Sequence, residues 1–157
     1  MTRALTAAGA ALALALLVLG LGLAIYLTRD EDAIAVDNLL AEDITREIGT
    51  AEQRGEDVDL AEVTDFDWDA VLIAARTATD EDISRAAGSP WKGDLAFRTG
   101  DLLIFVRGGH VVRFADYRGD GRFAGLERPV ARLDRDEAVF SVRSLVIRPR
   151  GSEPSSP

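Results

Sequence analysis

Cysteine is missing altogether, and histidine and lysine occur once each. Without cysteine there is no disulfide, no thiolate metal site and no thiol nucleophile, so the chain must be held by its apolar core. A lone histidine leaves no histidine-based metal spacing. One lysine, with no basic stripe interleaved with aromatics, excludes the usual nucleic-acid footprint. There is no glycine-rich loop to cradle phosphates and no internal repeat.

Charge is also missing, but only locally. From Ala4 to Leu27 the chain runs 24 residues without a charge, Pro, Asn or Gln. As a helix this run reaches ~36 Å, enough for a ~30 Å hydrocarbon core. It is longer than the apolar part of a secretory signal, and its best small-x-small site, Gly22 to Ala24, is followed by bulky residues. An uncleaved signal anchor over residues 1–28 is the favoured reading, with cleavage near Ala24 the alternative. The expected location is the cytoplasmic membrane, single-pass, with the rest of the chain on the periplasmic or outer side. The lipid bilayer is then the partner of residues 4–27. An envelope protein is the expected second partner.

The formal net charge is −9, unevenly placed. Residues 28–66 hold 13 acids and 3 arginines, whereas residues 67–157 are balanced. A negative collar beside the membrane is repelled by anionic head groups. Between 117 and 150 there are 8 arginines against 5 acids. Together with Arg107 and Arg113, these arginines are expected to dock the acidic segment of their own chain, or else to face an anionic partner.

Residues 29–150 are long enough for one domain with a core. Val36, Leu39, Leu40, Ile44, Ile48 and Ala51 fall at helical spacing, predicting an amphipathic helix from Ala33, capped by Asp30 or Asp32 and ended by Gly49. Residues 50–64 read as an acidic loop. Phe66, Trp68, Ala70 and Leu72 alternate with Asp67, Asp69, Val71 and Ile73 as a first strand. Thr79 before three acids predicts a helix start, and Gly88 its end. Residues 102–106 and 111–115 flank Gly108-Gly109, a tight-hairpin signature. That turn pairs Phe105 with Val112 and Leu103 with Phe114 on one face, and Val106 with Val111 and Leu102 with Ala115 on the other. Both faces are apolar, so the hairpin should be covered on each side. A last strand is expected from Ala138 to Ile147, and residues 151–157 form a polar tail expected to be disordered. The expected fold is α+β: a transmembrane helix, an amphipathic helix, then one small, mostly antiparallel sheet of about four strands with helix cover.

Several of these stretches resemble a group of small bacterial membrane-anchored or lipoprotein domains of unknown function. The likeness rests on Val58-to-Asp69, the Thr79-to-Ile83 helix start, the Phe105-to-Val112 hairpin and the closing Glu137-Ala138-Val139-Phe140 strand, and spans roughly Ala33 to Val146. These are packing motifs, so the resemblance implies a fold and no activity.

Candidate chemistry is sparse. Asp65, Asp67 and Asp69 share one strand face, where paired carboxylates could serve acid–base work or a metal; the solvated face at a strand's start, opposite Phe66 and Trp68, is the more ordinary account. His110 follows the hairpin turn and reads as a surface residue. Asp116 to Glu127 approaches a calcium loop, with acids at the first, fifth and twelfth places, but Arg118 occupies the third. Arg118-Gly119-Asp120 spells an adhesion tripeptide and reads as turn chemistry. The expected function is a membrane-tethered interaction or binding module without catalysis, cofactor or metal. The alternative is an envelope hydrolase using Asp67 and Asp69, or His110.

Overall fold

The computed structural model describes residues 35–96 and 98–151. The first element among these residues is helix α1, Asn38–Arg54. The Asp37 carboxylate accepts the Leu40 N–H at 3.0 Å, and Gly55, at φ 70°, closes the helix. The helix thus starts later than expected and runs through Gly49, which alone cannot stop a helix whose buried stripe continues to Ala51. Leu40, Ala41, Ile44, Ile48 and Ala51 are buried, whereas Leu39 points outward. Where a loop was expected, strand β1 (Asp57–Asp59) and the single-turn helix α2 (Leu60–Val63) follow. The Asp59 side chain caps α2 by accepting the Ala61 N–H at 2.8 Å.

The described domain is α+β, and its expected single sheet is two. Strands β2 (Ala70–Ala74), β3 (Leu102–Arg107), β4 (His110–Asp116) and β6 (Val130–Asp134) form an antiparallel sheet in the order β4-β3-β2-β6. The second sheet has the order β1-β7-β8-β5, with β5 being Arg122–Phe123, β7 Val139–Arg143 and β8 Val146–Pro149. Only β5 and β8 run parallel. The expected last strand is in fact a hairpin. Ser144 and Leu145, at φ 50° and 62°, make a two-residue turn that carries no glycine to announce it.

The first sheet is the centre of the described domain. One face packs on α1 and the second sheet, through Val71, Ile73, Leu103 and Phe105. The other packs on α3 (Asp80–Ala87) and Trp91, through Leu72, Ile104, Val106 and Phe114. Helix α3 begins as expected: Thr79 and Asp82 exchange capping hydrogen bonds, and Gly88 ends the helix at φ 80°. The Thr79 N–H, its hydroxyl and Arg85 hold the Asp82 carboxyl below its ordinary pKa.

Cover on both faces is as the apolar hairpin requires, but its register is not. Val106 faces Val111, then a bulge shifts the ladder, so Phe105 faces Arg113, Leu103 faces Ala115 and Ile104 faces Phe114. Phe114 is thereby sent to the α3 side of the sheet. Trp68 departs from its expected phase too. Strand β2 begins only at Ala70, and Trp68 packs with Val71 and Ile73 rather than with Leu72. Its ring meets Phe105 edge-on at 5.2 Å, and its indole N–H donates to the Thr64 hydroxyl at 2.7 Å.

Among the described residues no helix is long and apolar enough to cross a membrane. The Ala4–Leu27 run lies outside them.

Candidate functional site

The three aspartates around the start of β2 do not combine. Asp65 lies 3.9 Å from Arg113, Asp67 lies 3.4 Å from Arg107, and Asp69 accepts the Gly108 N–H at 2.6 Å. Each serves a separate cation or turn. His110 is exposed, at the register position opposite Arg107. No group of three or more metal-ligating side chains occurs among the described residues.

The calcium-like stretch has a different role. Asp116, its first acid, ends β4 and is buried. One carboxylate oxygen accepts the Thr99 N–H at 3.0 Å and the Thr99 hydroxyl at 2.8 Å; the other accepts the Gly100 N–H at 3.0 Å. The Arg118 Nε stands 3.7 Å away. Burial pushes the Asp116 pKa up, but these donors and Arg118 outweigh it and hold the group below its ordinary value. The carboxylate therefore pins the Thr99–Gly100 turn against the end of β4. A metal would have to displace those donors.

Backbone approach explains the glycines here. A Cβ at Gly100 would lie 2.0 Å from the Tyr117 carbonyl oxygen, and one at Gly119 would lie 2.3 Å from the Tyr117 hydroxyl. The loop that spells the adhesion tripeptide is folded tightly over the tyrosine. Tyr117 itself is buried, edge-on to Phe123 at 5.4 Å. Burial raises its pKa, opposed by the Gly121 N–H and reinforced by Asp120 and Glu52, so the phenol stays neutral.

Two hollows meet at Arg118. The Arg118 side chain is positioned by Asp116 and by the Asn38 side chain, whose oxygen it reaches at 2.8 Å. One hollow, about 200 Å3, is walled by Val36, Leu102 and Phe114, with Arg98 at its edge. Arg98 donates to the carbonyls of Arg76 and Ala78, while its buried Nη1 has no partner among the described residues. The other hollow, about 310 Å3, is walled by Arg76, Arg118, Arg122, Thr99 and the glycines over Tyr117. Its acid, Asp101, is held by Arg128 at 3.2 Å.

This arrangement concentrates positive charge and donors in a concave place, and the hydroxyl in its wall, that of Thr99, is engaged with the Asp116 carboxylate. Arg118 and Arg122 belong to the arginine-rich stretch noted in the sequence, but their convergence with Arg76 and Thr99 has no local signal. Those residues come from the exit of β2, the entry to β3 and the long connection after β4. No family model, curated protein or solved structure matches the chain.

Proposed function

We propose that the chain is a membrane-tethered extracytoplasmic binding module without catalytic activity. Residues 4–27 anchor it in the cytoplasmic membrane, and the α+β domain stands on the periplasmic or outer side. The observation that carries the binding half of this reading is the arginine-walled hollow beside Asp116. It gathers three guanidinium groups, whereas the candidate catalytic residues Asp67, Asp69 and His110 are tied to separate partners or exposed on the hairpin.

Three measurements test it. Carbonate-washed membranes should retain the protein, and protease added to intact spheroplasts should digest the domain. Release by carbonate overturns the anchor; protection from protease overturns the topology. A hydrolase-substrate screen of the full chain in neutral detergent should show no turnover. Turnover abolished by Asp67→Asn or His110→Ala would establish the hydrolase instead.

A further inference from the structure

We propose that the hollow walled by Arg76, Arg118 and Arg122 is a binding site for a phosphomonoester group. The inference rests on the binding-module reading and names its ligand chemistry.

The argument is one of unmatched charge in a concave place. Of the acids near the hollow, Asp101 is paired with Arg128, and Asp116 is taken by Thr99, Gly100 and Arg118. Asp120 is exposed on the loop over Tyr117. Arg118 is held in place by Asn38 and Asp116, which leaves part of its guanidinium free to meet a ligand. The Arg76 and Arg122 side chains make no hydrogen bond or ion pair with another described residue, yet both line the same hollow. Two uncompensated guanidinium groups beside a third that is fixed match a dianion better than a single carboxylate. Planar guanidinium forks pair bidentately with phosphate oxygens. A phosphomonoester carries nearly two negative charges near neutral pH. The volume of about 310 Å3 leaves room for a small polar group attached to the phosphate.

The same chemistry has two sources, a soluble phosphomonoester and the head group of phosphatidic acid. Calorimetry on the full chain in neutral detergent separates them. Glycerol phosphate is titrated in one arm, and micelles carrying phosphatidic acid, against phosphatidylcholine alone, in the other. Binding in either arm, weakened at least tenfold by Arg76→Gln combined with Arg122→Gln, is the expected result. The arm that responds identifies the source. Arg148→Gln is the control, since Arg148 also has no ion-pair partner among the described residues but lies outside the hollow. Its binding should equal that of the unaltered chain. Thermal unfolding of each variant confirms that the fold is kept. If the double variant unfolds, the single Arg122→Gln variant carries the test, with a loss of severalfold. No binding in either arm, or an equal loss in the Arg148→Gln control, overturns the proposal and leaves the membrane tether standing. Release of inorganic phosphate from glycerol phosphate, abolished by the same arginine changes, would support the site and overturn the non-catalytic reading.

Discussion

Asp116→Asn should cost about 2 kcal/mol at neutral pH, and the cost should fade in acid. The substitution keeps size and shape, so no cavity opens. It replaces one of two accepting oxygens with an NH2 group. If the amide oxygen faces Thr99, the Gly100 N–H loses its acceptor; if it faces Gly100, the Thr99 N–H does. Either orientation strands one backbone donor that had a charged partner, and such a bond contributes roughly 1.5–3 kcal/mol. The pH dependence follows from the lowered pKa. A carboxyl with a folded pKa below its unfolded value binds fewer protons in the folded state. Its contribution is fully present above the unfolded pKa of ~3.9 and is lost as pH falls through the folded value. The gap between the two proteins should therefore be constant from pH 7 to about 4.5 and shrink below that. Urea unfolding of the full chain in neutral detergent, followed by fluorescence of the buried Trp68 and Trp91, measures it. Equal stability at pH 7, or a gap that persists unchanged into strong acid, would refute the account of Asp116 as an ionised pin.

Phe105→Ala should cost about 4 kcal/mol in the same assay, because the ring is fully buried and holds both Phe66 and Trp68 edge-on at 5.2 Å. A loss under ~1 kcal/mol would contradict its central place. Gly49→Ala should raise stability by roughly 0.5–1 kcal/mol, since Gly49 lies within α1 and a Cβ there meets nothing; destabilisation would mean that the helix ends where the glycine first suggests. Ser144→Asn with Leu145→Gly should add about 1 kcal/mol by relieving two positive φ angles, and an unchanged urea midpoint would show that no strain resides in that turn.

Local chemistry was legible in the sequence wherever one short stretch held both halves of a signal. Thr79 with Asp82 and Gly88 declares α3 at both ends. The Gly108-Gly109 turn declares the β3–β4 hairpin, and the apolar residues of β3 declare cover on both faces. What failed needed information from elsewhere in the chain. The bulge after Phe105 shifts the rest of β4 by one residue, and no residue type at Val111 or Val112 announces it. Ser144-Leu145 looks like strand continuation because neither residue is a usual turn former. The second sheet was hidden because β1 and β5 are only three and two residues long and exist through pairing with β7 and β8. The candidate site was hidden for the same reason: Asp116 draws its partners from Thr99 and Gly100, and its sequence neighbours offered only an incomplete calcium-like loop that Arg118 breaks.

The charge imbalance of the sequence leads to the site by elimination. An acidic segment beside a balanced domain raises the question of which arginines the domain needs for itself. Arg113 meets Asp37 at 3.3 Å, Arg118 meets Asn38, Arg150 meets Asp57 at 3.6 Å, and Arg143 donates to the Gly55 carbonyl at 3.0 Å. The second half of the chain thus grips α1 and β1 at both ends. These pairs are largely exposed, so each adds little to stability, and their effect is to orient α1 on the sheets. Arg135 lies over the Trp68 ring at 4.7 Å, and Arg128 holds Asp101 and the Phe123 carbonyl. Arginines with such positions are parts of the fold, and replacing them would disturb packing as well as charge. Arg76 and Arg122 have no such task among the described residues, although they stand at one hollow with Arg118 between the two sheets' loops. A cation with no partner among the described residues, placed in a concavity beside another, is where an external anion gains most from binding. The ligand titration therefore discriminates best at those two side chains, since their loss leaves the packed arginines and the fold intact.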